Sequence, residues 1–349
     1  MANGAFTRFQ TSDIITSVDS STGTVWSGNQ PRLSKSATSS LHSQSNAGQY
    51  FTQVYQTSST LTEAAVQFSI AYGDEVGSGS LLYNSLVDGL SPSSTIYGQY
   101  QNIVLGDDVA PFIFGDNSSS YFYALSIERA RYKESLALGV LSLNLNSGVG
   151  GTVTRHLTDN SSISSGNVYG NAGRVYQLVS GSEGAVYTGV NSNGFTTTAG
   201  SYGLFLPDVG LIILNGKALD LSAVNGGIAL GTVRTSNVAN QNPSLMFNAI
   251  SRSLVLNKPF RLNSQETLSS DYYFVRAQNS EFNYSSNPSF VSGSTGQLLH
   301  PTMQNNPQTF ITSVGLYNDS NELCAVAKLS RPLIKDFTKE LLVRVKLDY

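Results

Sequence analysis

Apolar and polar residues alternate most regularly near the C-terminus. The alternation runs from Phe310 to a polar Asn318-Asp319-Ser320-Asn321 turn and resumes at once at Leu323. Two such runs around a short polar turn predict a β-hairpin. Lys328 to Lys339 reads as a connection into a last strand carrying Leu341, Val343, Val345 and Leu347, which ties the end of the chain into a sheet.

The same pattern recurs upstream. Val66, Phe68, Ile70 and Tyr72 alternate as a half-buried strand that ends in the glycine-rich Gly73–Ser80 segment. Ile96, Tyr97, Tyr100, Ile103 and Val104 instead recur with helical spacing behind Pro92, which suits a first turn. Short strands are predicted at Phe112–Phe114, at Tyr123, Leu125 and Ile127, and at Leu141, Leu143 and Leu145. Arg174–Val179 and Tyr272–Ala277 read as further strands. Tyr202–Leu214 predicts two strands around a Pro207-Asp208 turn, and the unbroken Leu211–Leu214 run predicts a central strand buried on both faces. Short helices are expected within Gly216–Val224 and Leu245–Ile250.

The first 60 residues are poor in periodicity, with apolar islands at Asp13–Thr16 and Gly23–Trp26. Trp26 is an anchor of one of two kinds: it packs on its own domain, or it fixes an extended arm to a neighbouring subunit. The expected organisation is an arm over residues 1–60, a β-rich core from 61–145 and 300–349, and a second or inserted β-rich lobe over 146–299. The fold class is α+β, predominantly antiparallel β with few short helices and an extended N-terminal arm.

Composition sharpens this picture. Charged residues are 12% of the 349-residue chain, about half the usual ~25%, and aromatic residues reach 10%. Low charge with many aromatics argues against disorder and leaves polar, uncharged surface that is cheap to desolvate in subunit contacts. The net charge of −3 supplies no basic footprint for nucleic acid. No apolar run approaches ~20 residues, so no membrane-spanning helix is expected, and the N-terminus lacks a signal-peptide apolar core. The single cysteine, Cys324, cannot form an intrachain disulfide, which fits folding in a reducing cytoplasm; it is expected to be a buried small hydrophobe.

The densest charge lies at Glu128, Arg129, Arg131, Lys133 and Glu134. Alternating sign there suggests either a polar contact that fixes register with a partner or an ordinary solvated strand end. Otherwise the chain offers little chemistry. His42, His156 and His300 are far apart, without metal-ligand spacing. Gly77-Ser-Gly-Ser lacks the lysine of a phosphate-binding loop, and Asp107-Asp108 suits a turn. Two carboxylates such as Asp74 and Glu128 remain open as a glycosidase pair. No catalytic residue, cofactor or metal is expected.

Several blocks resemble virion structural proteins of contractile-tailed bacteriophages, cyanophage relatives among them. They are Ala71–Ser80, Ile96–Asn102, Ile127–Glu134, Tyr202–Asn215 and the closing hairpin with its Leu323-Cys-Ala-Val-Ala-Lys-Leu329 run. Together they span residues ~70–349. The resemblance implies a non-enzymatic baseplate wedge component in the virion, present in several copies of a six-fold assembly or as a homodimer, whose partners are other tail proteins and peripheral fibres. Capsid or neck protein, and receptor- or glycan-binding tail module, are the alternatives. The residues expected to make contacts are Trp26, Glu128, Arg129, Arg131 and Lys133.

Overall fold

The computed structural model describes residues 8–38, 51–77, 92–148, 153–169, 171–188, 190–234, 241–285 and 287–349. His42, residues 78–80 of the glycine-rich segment and Gly170 of an expected turn lie outside these. The chain forms two compact units, a larger one of residues 21–266 and a smaller one of residues 1–20 with 267–349.

Strand β1 (Ile14–Thr24) opens the described chain. The larger unit then supplies β2 (Phe51–Tyr55), β3 (Val66–Asp74), β4 (Tyr121–Ile127), β5 (Leu143–Leu145), β6 (Arg155–Asp159), β7 (Gly173–Ser182), β8 (Gly203–Leu206) and β9 (Leu211–Asn215). They form an eleven-stranded sheet in the order β5-β6-β7-β8-β9-β4-β3-β2 and then Ala37–Thr38, with Asn167–Tyr169 and Ala185–Val186 beside β7. Every pairing along it is antiparallel.

The period-two pattern divides each central strand between two cores. Phe68, Ile70, Tyr72, Tyr123, Leu125, Ile212 and Leu214 join one cluster together with Met246, Ala249 and Ile250 of the helix Asn242–Val255. Ala71, Phe122, Ala124, Leu211 and Ile213 join the other, together with Ile96, Tyr97 and Val104 of the helix Ser93–Leu105. β9 is buried at all five positions, as its apolar run predicts. At Gly203 a Cβ atom would lie 2.2 Å from the Ile213 carbonyl oxygen, so only glycine lets β8 and β9 approach this closely.

The helices are α1 (Ser93–Leu105), α2 (Gly216–Asp220) and α3 (Asn242–Val255). Helix α1 ends at Gly106 in the left-handed conformation, and α2 begins where the Asn215 side chain accepts from Ala218 N. On α1, Ile103 faces outward and the buried face takes Gln101 instead, whose amide donates to Ala110 O at 2.6 Å. The apolar spacing therefore located the helix but missed one position of its buried stripe.

The smaller unit is built from β10 (Asn263–Ala277), which enters it from the larger unit, and from β11 (Thr309–Tyr317), β12 (Leu323–Lys335) and β13 (Leu341–Asp348). Its sheet has the order β1-β10-β13, and β11 and β12 form a separate two-stranded ribbon. The predicted turn sits at Asn318–Asn321, with Asn321 at φ 60° and Glu322 N donating to Asn318 Oδ1 at 2.8 Å.

Two expectations change here. Lys328–Lys335 does not begin a connection; it continues β12 after an irregularity that sets Leu329–Pro332 opposite Thr312. Pro332 has no N–H to give the ladder, so the strand bulges there and resumes at Leu333. Cys324 is exposed, because it falls on the outward side of this thin ribbon. The units also group the residues differently from the expected segments. β7, β8 and β9 share one sheet with β3 and β4, while 267–299 belongs with 300–349.

Arg174 and Asp208 lock β7 to the Pro207-Asp208 turn through a side-chain pair at 2.5 Å and an Arg174 N bond to Asp208 Oδ2 at 2.8 Å. Burial alone would raise the Asp208 carboxyl, but the hydrogen bonds from Arg174 outweigh it and hold the group below the usual carboxylate range. A depressed carboxylate stabilises the fold above its unfolded value near ~4, and that contribution disappears as pH falls through the lower folded value. Asp208→Asn should therefore lower Tm at neutral pH, and the gap to the parent protein should shrink on acidification below about pH 4. Thermal melts across pH check this; a gap that stays constant into acid contradicts it.

Candidate interaction surface

The residues expected to make contacts fall in one region of the larger unit. Trp26 is buried, with its ring centroid 4.9 Å from Phe260 and 6.4 Å from Phe68, so it packs on its own unit. Beside it Ser27 Oγ accepts from Arg131 Nη1 at 2.8 Å and from Gln67 Nε2 at 2.6 Å. The Arg129 guanidinium lies 4.6 Å from the Tyr132 ring centroid and donates to the Tyr132 carbonyl at 2.6 Å. Lys133 pairs with Glu266 at 2.5 Å, and Glu128 N donates to Gln67 O at 3.0 Å. The fold thus uses Arg129, Arg131 and Lys133 in bonds within the larger unit.

The carboxylates left open as a glycosidase pair do not converge. In the antiparallel β3–β4 pair, Asp74 stands opposite Tyr121, and Phe68 stands opposite Ile127, the residue before Glu128. Six residues of strand separate these levels by roughly 20 Å, whereas a glycosidase pair sits about 5–9.5 Å apart. Asp74 is engaged instead by the fork of Arg234, Nε to Oδ2 and Nη2 to Oδ1 at 2.8 Å each, and by the Tyr72 hydroxyl at 2.8 Å. The Arg234 guanidinium also lies 4.3 Å from the centroid of the Tyr121 ring. Burial, then the Asp74 charge, pushes the Tyr72 phenol far above its usual range, so it remains a hydrogen-bond donor. Among the described residues no group of three or more candidate metal ligands occurs, and no helix is long and apolar enough to cross a membrane.

The smaller unit has the unusual surface. None of its residues enters either hydrophobic cluster, and among its described apolar side chains only Ala277, Val291, Leu316 and Val345 are buried. Phe310, Leu323, Val326 and Leu342 are 55, 53, 61 and 60% exposed. A two-stranded ribbon of alternating sequence has one side chain in two on each face, and here Leu316 is buried while Phe310, Leu323 and Val326 stay open to water. Isolated exposed apolar residues are ordinary, but a concentration of them marks a contact surface.

A cleft of about 760 Å³ opens in this unit. Its floor is apolar: Val275 pairs with Val343 and Ala277 with Leu341 across β10 and β13. One wall is β11, contributing every residue from Phe310 to Tyr317, and Phe9 and Phe282 add aromatic surface. Asn318, Asp319 and Asn321 of the hairpin turn line it as well.

Lys335, at the end of β12, is fully buried. Its ammonium donates to Asn283 Oδ1 at 2.7 Å, Asp336 O at 3.0 Å and Asn279 O at 3.1 Å, pinning the segment after β10 to the ribbon's end. Sequence reasoning missed this residue, because its three acceptors are two main-chain oxygens and one amide, none of which is marked by opposite charge. Comparison with protein-family models, with curated proteins and with solved structures finds no match.

Two substitutions probe these sites. Trp26→Ala should remove the aromatic anchor and cost the larger unit about 3–5 kcal/mol, measured by denaturant unfolding. Lys335→Met should leave its three acceptors, two of them on the buried residues Asn283 and Asp336, without their donor, costing about 3 kcal/mol, and should speed amide exchange around Asn279–Asn283. Unchanged exchange there means the ammonium does not hold that segment.

Proposed function

We propose that this protein is a structural component of a bacteriophage tail, a baseplate wedge component that acts through protein–protein contacts in tail assembly and fibre attachment. The observation that carries this reading is the smaller unit: it exposes large apolar side chains and contributes nothing to either hydrophobic cluster. Apolar surface left in water favours association, at ~25 cal/mol per Å² removed. The resemblance of the closing hairpin and the other blocks to tail proteins points the same way and supplies the virion location. The N-terminal arm belongs to this reading too. Along β1, Ile14, Ile15 and Val18 are exposed, which suits a strand that lies on a neighbouring subunit.

A receptor- or glycan-binding tail module is favoured by one feature, the cleft, where Phe9, Phe282 and Tyr317 meet Asn318, Asp319 and Asn321. Aromatic faces with amide and carboxylate groups are the chemistry that sugars require. Binding of host surface polysaccharide by the isolated protein would support that module over a purely structural wedge.

Quantitative mass spectrometry of purified virions tests the assignment. A wedge component should occur at about six to eighteen copies per particle, as six-fold closed symmetry requires. Hundreds of copies would move it to the capsid or tail tube, and absence from particles would sink the structural reading.

A further inference from the structure

The two outer edges of the β11–β12 ribbon are built differently. β12 carries Lys328, Arg331 and Pro332 and is bulged between Lys328 and Leu333. Charge, proline and bulges are the devices by which proteins keep an exposed edge from pairing with another chain. β11, Thr-Phe-Ile-Thr-Ser-Val-Gly-Leu-Tyr, has no charge and no proline, and it pairs with no strand other than β12 among the described residues. An uncharged strand of high β propensity with one open edge is an aggregation hazard unless a native partner covers it.

We propose that this partner is a second copy of the chain, with the two β11 edges paired antiparallel about a two-fold axis at Ser313. This rests on the reading of the smaller unit as an assembly surface. The strand is self-complementary in that register. Ser313 meets its own counterpart, Thr312 meets Val314, Ile311 meets Gly315 and Phe310 meets Leu316. No like charges oppose, the branched Ile311 faces a glycine, and the aromatic Phe310 faces an aliphatic residue, a favourable cross-strand pair. A two-fold axis makes the contact isologous, which closes the assembly at two ribbons and leaves the guarded β12 edges outermost.

Of the exposed apolar side chains on this ribbon, Phe310, 55% exposed, stands on β11 itself and would be partly covered in the pairing.

Sedimentation velocity on the full chain is the test. The parent protein should sediment at twice its 37.3 kDa mass at micromolar concentration. Ser313→Lys and Ser313→Glu each place like charges across the axis, and each should weaken the dimer at least ~100-fold. An equimolar mixture of the two variants should restore it as a heterodimer. Independently of any variant, amide exchange at Phe310–Leu316 should slow as the parent protein's concentration rises. A parent protein that stays monomeric, a dimer that tolerates lysine at Ser313, or a mixture that fails to reassociate overturns the proposal. A monomer in solution that is still present in virions at wedge copy number would sink the pairing while leaving the assembly reading intact. A dimer absent from virions would do the reverse.

Discussion

An antiparallel sheet covered on both faces is the constraint from which the larger unit follows. In β3, β4 and β9 successive side chains point to opposite sides, and both sides are apolar. A slip of one residue would exchange the two cores wholesale, setting Phe68 and Ile70 where Ala71 now fits under α1. The register is therefore fixed by volume as well as by hydrogen bonds. Helix α1 closes one face and α3 the other, and the glycine at position 203 exists to let two central strands come close.

Two carboxylates of this unit are held by partners far along the chain. Asp74 receives both arms of the Arg234 fork and the Tyr72 hydroxyl, and Asp208 is bound by the side chain and backbone of Arg174. Such groups join strands and turns distant in sequence, and removing Arg234 would leave the buried Asp74 without its charge partner. They work as rivets. The charge cluster at Arg129, Arg131 and Lys133 likewise makes bonds inside the larger unit.

The smaller unit follows the opposite logic. Its alternating strands have a second layer over few positions, and the cost of exposed Phe310, Val326 and Leu342 is met only if something else covers them. Functional inference therefore rests on what this unit fails to bury, whereas both hydrophobic clusters belong to the larger unit, on which Val109, Val224 and Val255 nonetheless stay exposed. The cleft beside β11 and the unguarded edge of that strand are two views of one incomplete surface.

Period-two alternation in the sequence was enough to locate β3, β4, the closing hairpin and the last strand, because alternation is a local consequence of pleating, and an unbroken apolar run located β9. The helical spacing of Ile96 to Val104 located α1 for the same kind of reason. What it could not supply was partnership. Nothing near Trp26 says that Phe68 and Phe260 will receive it, nothing near Lys335 marks Asn279 and Asn283 as its acceptors, and Cys324 reads as apolar whether or not a layer covers it. The sequence by itself determined which segments become strands and helices and which turns join them. Only the tertiary structure decided which apolar faces are covered and which face water, since burial depends on residues hundreds of positions apart meeting in space.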